Sequence, residues 1–124
     1  MTTTIAKSHI QDQTIEAAVK YLEHKGYDNI ERAENKPYDL VARDVDNTLV
    51  FIVVQMRTAN AEGFAELPSG NWIPRLERAA AEYLVDHETD TYEEVRFDNI
   101  SLLVMTNNRA LLRHYHNFIN DLVA

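Results

Sequence analysis

Apolar positions in the first part of the chain repeat with the period of a helix. Within residues 8–25 the i, i+3, i+4, i+7 spacing is filled by Ile15, Ala18, Val19 and Leu22. Side chains at this spacing lie on one face of a helix. Gly26 follows directly, and glycine is common just past a helix end because it adopts a left-handed conformation easily. The pattern predicts an amphipathic helix that ends at about Gly26.

Three strand-like runs follow this helix. Residues 27–33 are short and polar, which is typical of an edge strand, and residues 38–43 alternate apolar and polar positions. Residues 49–56 begin as a continuous apolar run, so we expect both faces of this strand to be covered. Turn-forming residues, Asn35-Lys36-Pro37 and Asp46-Asn47, separate the runs. The third run is therefore predicted to be the central strand of a sheet.

The second half of the chain predicts a loop, a helix, a strand and a further helix. The loop covers residues 58–70, and Pro74 fits the first turn of a helix that reaches about His87. A β-type run then covers residues 96–105. Thr106 or Asn107 can cap a last helix, whose apolar face is Leu111, Leu112, Tyr115, Phe118, Ile119 and Leu122. The order α-β-β-β-α-β-α predicts one α/β domain over residues 1–124, with a mixed sheet flanked by helices and a C-terminal helix.

Charge and composition restrict the classes of protein. Twenty acidic against twelve basic residues give a net charge of −8, which opposes binding of nucleic acid by the molecule as a whole but leaves room for a local basic patch. The chain has no cysteine, so it has neither disulfides nor a thiolate metal site. The first ten residues do not resemble a signal peptide, and no apolar run approaches the ~20 residues of a membrane helix. We expect a cytoplasmic protein without a membrane partner.

Five segments resemble a known family in order and in spacing. They are A18-V-K-Y-L-E-H-K-G-Y27, Y38-D-L-V-A-R43, V50-F-I-V-V-Q-M-R57, R78-A-A-A-E-Y-L84 and R96-F-D98. Together they resemble the YraN-type family of restriction-endonuclease-like proteins, in the PD-(D/E)xK superfamily, over about residues 14–105. The resemblance implies an α-β-β-β-α-β core with a mixed central sheet.

The same resemblance implies a damaged nuclease site. The family's strand-two acid falls on Asp39, but its strand-three acid falls on Val53 and its lysine on Gln55. Acids on adjacent strands hold a divalent cation through oxygen, and a valine has no lone pair to offer. The resemblance therefore implies a catalytically degenerate nuclease fold that serves as a nucleic-acid-binding or scaffolding module, with no cofactor expected.

Two alternatives stay open. An atypical endonuclease could hold Mg²⁺ or Mn²⁺ with Asp39 and Glu16 and orient a water with Gln55; a solvated Glu16 is the commoner arrangement on a helix. A protein-interaction module, including a homodimer through exposed apolar surface on the last helix, needs no nucleic acid. Without a metal, Asp39 is expected to pair with a cation such as Arg57 or Lys36.

Contacts with DNA or another nucleic acid are predicted for Arg43, Gln55, Arg57 and Arg75 around the remnant cleft. Arg78 could belong to the same patch. Against this, Arg75 and Arg78 lie near Glu77 and Glu82 on the predicted helix, and pairing of Arg78 with Glu82 one turn on is the plainer explanation. Trp72 could stack on a base or pin the preceding loop to the core. His114 and His116, two apart on the predicted helix, point to different sides, which is poor zinc geometry, and are interpreted as surface histidines.

Overall fold

The computed structural model describes residues 2–58, 63–105 and 109–119, with side chains from residue 11 onward. Its elements in chain order are α1 (Thr2–His24), β1 (Asp28–Arg32), β2 (Leu40–Arg43), β3 (Thr48–Thr58), α2 (Trp72–Asp86), β4 (Glu94–Val104) and β5 (Ala110–Tyr115). Each predicted element up to β4 is present; the strands β1 to β4 and helix α2 lie within two residues of their expected bounds, whereas α1 begins six residues before the predicted start at residue 8. Gly26, with φ of 93°, follows the end of α1 as predicted.

The strands form one five-stranded sheet in the order β1-β2-β3-β4-β5. The neighbours β1–β2, β2–β3 and β4–β5 are antiparallel, whereas β3 and β4 are parallel and joined through α2. The apolar run of β3 is central and the polar β1 is at an edge, as predicted. The molecule is an α/β protein whose mixed sheet and element order are compatible with a restriction-endonuclease-like core.

β3 supplies hydrophobic side chains to both faces of the sheet. On the α1 face, Val50 and Ile52 belong to a core with Ala18 and Leu22 of α1. On the α2 face, alternate β3 residues belong to a second core, which contains Phe51, Val53, Leu76, Ala79 and Ala80. This alternation follows the two-residue period of a strand. Among the described residues, no helix is long and apolar enough to span a membrane.

The predicted C-terminal helix is wrong over residues 110–115, which form β5. This segment pairs with β4 from Val104 opposite Ala110 to Asn99 opposite Tyr115, and thereby covers what would otherwise be an open edge of β4. The backbone hydrogen bonds to β4 determine the conformation of this segment, although the spacing of its apolar residues also fits a helix. Thr106, Asn107 and Leu122, also assigned to that helix, lie outside the described residues.

Leu111, predicted on the apolar face of that helix, is instead 53% exposed on β5. The expected homodimer through this segment stays a prediction.

Candidate functional site

The three positions marked by the family resemblance line one cavity. Asp39, Val53 and Gln55 border a space of about 470 Å³ beside the start of β2 and the middle of β3. Its remaining lining residues are Lys36, Pro37, Val54, Pro68 and Trp72. The structure therefore brings together residues that the sequence related only through a family pattern.

Asp39 is held by the backbone of β3. Its N–H donates to the carbonyl oxygen of Ile52 at 2.8 Å, and its Oδ2 accepts the N–H of Val54 at 2.7 Å. Burial raises the pKa of the Asp39 carboxyl, and the Val54 bond opposes this rise only in part. The carboxylate thus acts as an acceptor at the end of the β2–β3 ladder.

The ion pair expected between Asp39 and a cation is not observed in the part of the chain that the structure describes. Within residues 11–58, 63–105 and 109–119, no ion pair joins Asp39 to Arg57 or Lys36. Arg57 is exposed and donates to the carbonyl oxygen of Phe64 at 3.5 Å. The backbone donor of β3 takes the place of the predicted cation.

Val53 and Gln55 project on the α2 face and have different surroundings. Val53 is 4% exposed and belongs to the hydrophobic core beneath the cavity. The Gln55 Oε1 accepts a hydrogen bond from the Asn99 Nδ2 at 3.0 Å. Because its oxygen is engaged, the Gln55 side chain can direct only its amide NH₂ donors to a ligand in the cavity that it lines.

A buried polar row on β4 fixes the orientation of Gln55. Asn99 Nδ2 also donates to the carbonyl oxygen of Val53 at 3.2 Å, and Ser101 Oγ donates to Asn99 Oδ1 at 2.7 Å. Both Asn99 and Ser101 are fully buried. Neither residue is singled out by the sequence. Their role follows from the parallel register of β3 and β4, which sets Asn99 opposite Val53 and Ser101 opposite Gln55.

Trp72 lines the cavity from the first turn of α2. Its indole Nε1 is buried and, in the part of the chain that the structure describes, has no hydrogen-bond partner. Buried donors of this kind are rare because each costs the free energy of desolvation. The Arg75 guanidinium lies over the Trp72 ring, 5.1 Å from its centroid.

A basic groove of about 200 Å³ adjoins this cavity and shares Lys36 and Pro37 with it. Arg75, Arg78 and Glu82 of α2 also line the groove. Among the residues described, Arg78 and Glu82 form no ion pair within 4.0 Å, although their i, i+4 spacing suggested one. Three cationic side chains therefore stand beside the cavity with one acid among them.

Arg43 is not brought to this cavity. It lies at the other end of β2, where it donates to the carbonyl oxygen of Thr91 at 2.6 Å and to Asn47 Oδ1 at 2.8 Å. It also forms an ion pair with Asp90 at 3.7 Å. These contacts join the β2–β3 turn to the loop before β4.

Glu16 and Asp39 line different cavities. Glu16 is exposed on α1, forms an ion pair with Lys20 at 3.6 Å, and lines a groove of about 450 Å³ without Asp39. On the α1 side, Asp39 instead shares a cavity of about 460 Å³ with Asp12, which forms an ion pair with Arg32 at 3.0 Å.

A second polar cluster is built around Asp98 on the α1 face of β4. The fully buried Asp98 carboxylate accepts from Arg96 Nε at 2.8 Å and Nη2 at 3.0 Å, and from the Asn117 N–H at 2.9 Å. Arg96 also reaches Asp44 at 3.0 Å and the Tyr27 hydroxyl at 2.7 Å. Burial alone would raise the Asp98 pKa, but hydrogen bonds from His114 and Arg96 hold it below its usual value.

His114 and His116 lie together beside this carboxylate. His114 Nε2 is 2.7 Å from Asp98 Oδ2, and His114 Nδ1 is 3.0 Å from the Tyr21 hydroxyl. The two imidazole rings stack with centroids 3.8 Å apart. The prediction that the histidines point to different sides is wrong, because the segment is a strand and turn instead of a helix.

The α/β core with its mixed five-stranded sheet defines a protein compatible with a nuclease-like fold. Comparison with known sequences shows its family. The model of the "Uncharacterised protein family UPF0102" matches residues 16–102, so the chain belongs to that family, and the predicted YraN-type resemblance is confirmed.

Two relatives cover most of the same length. The chain is 33% identical to a UPF0102 protein of Corynebacterium efficiens over 95 residues, which are 73% of this chain and 75% of the relative. It is 36% identical to a UPF0102 protein of Beutenbergia cavernae over 101 residues, which are 78% of this chain and 84% of the relative.

Proposed function

We propose that this chain binds nucleic acid through the Asp39–Gln55 cavity and does not cleave it by metal-dependent hydrolysis. The observation that carries the proposal is the composition of the cavity: of the three remnant positions, only Asp39 is a carboxylate, and Val53 presents hydrocarbon. Mg²⁺ prefers several oxygen ligands, and an uncoordinated water keeps its high pKa. One carboxylate already bonded to Val54 is a poor metal site.

The cavity offers hydrogen-bonding groups of both kinds. Gln55 has its amide donors and Asp39 has a carboxylate acceptor, while Trp72 contributes an aromatic ring to the lining. A nucleobase edge carries donors and acceptors side by side, so it can satisfy such a set. A volume of about 470 Å³ lies within the range of small-molecule sites. We infer that the cavity takes one unpaired nucleotide.

The adjoining groove supplies positive charge for the phosphates. Lys36 borders both spaces, and Arg75 and Arg78 continue the cationic surface along α2. Such contacts give affinity without sequence preference. Because the chain carries a net charge of −8, binding is restricted to this face and weakens steeply with salt.

Fluorescence anisotropy with labelled single-stranded and branched DNA tests the proposal. We expect binding of single-stranded DNA, or of branched DNA with unpaired nucleotides, at low salt. Trp72→Ala weakens it by about 1–3 kcal/mol, the value of one base–aromatic contact. Arg78→Ala also weakens it. Lys20→Ala is the matched control, because Lys20 is an exposed cation on α1 outside this cavity and groove.

Equal affinity of the wild type and the Trp72→Ala and Arg78→Ala variants would contradict the proposal, as would failure to bind either DNA. The cleavage claim is tested separately by incubating the same DNA with Mn²⁺ or Mg²⁺. We expect no cleavage. Cleavage that disappears in Asp39→Asn would instead establish the atypical nuclease, for which Glu16 is the other candidate ligand.

A further inference from the structure

We propose that Asp98, His114 and His116 form a binding site for a zinc-class divalent transition metal, separate from the Asp39–Gln55 cavity. One ligand atom from each of the three side chains lies within 4.8 Å of the others. Two imidazoles and one carboxylate are an established ligand set for Zn²⁺. Asp98 projects on the α1 face of β4, whereas Val53 and Gln55 project on the α2 face.

The pairing of β5 with β4 creates this arrangement. His114 lies opposite Ile100, so its ring shares the α1 face with Asp98, two residues before Ile100. Side chains two apart share a face in an extended chain, and His116 follows one residue after β5 ends. The stacked rings, with centroids 3.8 Å apart, put two imidazoles beside one carboxylate.

The distances fit a metal with a small adjustment. Two ligand atoms of a tetrahedral zinc lie about 3.3 Å apart, given bonds of about 2.0–2.1 Å. His114 Nε2 and Asp98 Oδ2 are 2.7 Å apart, so a metal replaces the shared proton when these two atoms separate slightly. Asp98 Oδ1 keeps its bonds to Arg96 Nε and the Asn117 N–H, whereas Oδ2 shares with the metal the lone pairs that now accept Arg96 Nη2 at 3.0 Å.

Tyr21 holds the His114 ring in the required orientation. Its hydroxyl is 3.0 Å from His114 Nδ1, so a protonated Nδ1 donates to the phenol oxygen. Nε2, which faces Asp98 Oδ2, then binds the metal in place of its proton. Metal-bound histidines generally have such a partner on the second nitrogen, which fixes the tautomer.

His116 gives the site access to solvent, because it is the exposed member of the three. It can complete the set by rotating its ring, and the remaining coordination position is filled by water. Arg96 opposes the metal charge and limits the affinity, although Asp44 offsets part of this charge at 3.0 Å. We expect Zn²⁺ affinity below that of structural zinc sites with four protein ligands.

Titration of the full chain, without a histidine tag, with Zn²⁺ and Co²⁺ tests the site. Calorimetry should show one Zn²⁺ per chain, and Co²⁺ should give visible absorption bands from nitrogen and oxygen ligands. His116→Ala should weaken binding about tenfold or more, as removal of one of three ligands does. This variant leaves the buried Asp98–Arg96 contacts intact. His24→Ala, at the exposed end of α1, should bind like the wild type.

Thermal unfolding gives an independent readout. Zn²⁺ should raise the Tm of the wild type and of His24→Ala, and leave that of His116→Ala unchanged, because a ligand stabilises only the state that binds it. His114→Gln, checked for folding by circular dichroism, should also lose the Co²⁺ bands. Absence of saturable Zn²⁺ binding to the wild type, or equal binding by His116→Ala, would overturn the proposal.

Discussion

The N–H of Val54 on β3 donates to the carboxylate of Asp39 at 2.7 Å. The acid at the strand-two position of the family resemblance is therefore also part of the hydrogen bonding between β2 and β3. Loss of activity on mutating Asp39 would not by itself identify a catalytic residue. Variants that separate the acceptor from the charge are needed.

We expect Asp39→Ala to destabilise the fold and Asp39→Asn to preserve it. Alanine leaves the Val54 N–H without its acceptor, at a cost of about 1–3 kcal/mol in the free energy of unfolding. An asparagine Oδ1 can accept the same bond. Urea unfolding at neutral pH measures both variants. Equal losses in the two would show that the carboxylate charge, and not the bond to Val54, is what stabilises this site.

The same site predicts a pH dependence. Burial raises the pKa of Asp39 in the folded protein, so the folded state binds its proton more tightly than the unfolded state. Stability is then lost as pH rises from about the ordinary value of 3.8 through the raised pKa. Asp39→Asn lacks this loss, so its Tm relative to wild type should rise between acidic and neutral pH. A constant Tm difference across pH would contradict the buried charge.

Asp98 should have the opposite dependence. Its folded pKa is depressed, so its contribution is present above the unfolded value of about 3.8 and is lost as pH falls through the folded pKa. Asp98→Asn should cost about 3–5 kcal/mol at pH 7 by leaving Arg96 without its buried partner. The deficit should shrink in acid. The control is Asp28→Asn, on the exposed part of β1, which should change the free energy of unfolding by no more than about 0.5 kcal/mol. Urea unfolding measures both variants, and an equally small effect of Asp98→Asn would refute the structural role of Asp98.

The buried Ser101–Asn99 pair predicts a stability coupling. Ser101→Ala removes the donor to Asn99 Oδ1 and should cost about 1–3 kcal/mol. Ser69→Ala, at an exposed loop position, is the control. A double-mutant cycle of Ser101→Ala with Asn99→Leu should give a coupling of about 0.5–3 kcal/mol. Additive effects would mean that the row does not act as a unit.

Restoring the acid and the lysine of the family pattern should create a metal site in the Asp39–Gln55 cavity and lower the stability of the metal-free protein. Val53→Glu with Gln55→Lys puts an acid into a position that is 4% exposed, so we expect a lower Tm without metal. Mn²⁺ should recover part of this Tm in the double variant and leave wild type unchanged, because only the variant has two carboxylates at the cavity. No response to Mn²⁺ would show that the backbone no longer holds the two acids at bonding distance.

Strand β3 and helix α1 could be predicted because their signals are local. A run of apolar residues from Leu49 to Val54 requires cover on both faces, and Gly26 marks the end of a helix. Strand β5 could not be predicted, because the spacing of Leu111, Leu112 and Tyr115 fits a helix as well as a strand. Only the open edge of β4 decides between them, and that edge exists only in the folded sheet.

The site was predictable only where the family pattern marked it. Asp39, Val53 and Gln55 do line one cavity. The bond that holds Asp39 depends on the register between β2 and β3, which no single segment of sequence specifies. Asp98 has hydrogen-bond partners on β5 and in the turn after β5, and Tyr21 of α1 joins the cluster through His114. The distance of these residues along the chain hides their proximity.

The parallel pairing of β3 with β4 also shapes how the chain folds. Strands β1 to β3 and strands β4 and β5 are two antiparallel groups, each closed through short connections. The two groups meet where β3 pairs with β4, from Thr48 opposite Glu94 to Thr58 opposite Val104. The chain between these two strands includes α2 and the loops on either side of it. Closing so large a loop has a high entropic cost, and contacts distant in sequence slow folding. The rate-limiting step is expected to be the docking of these two groups along the centre of the sheet.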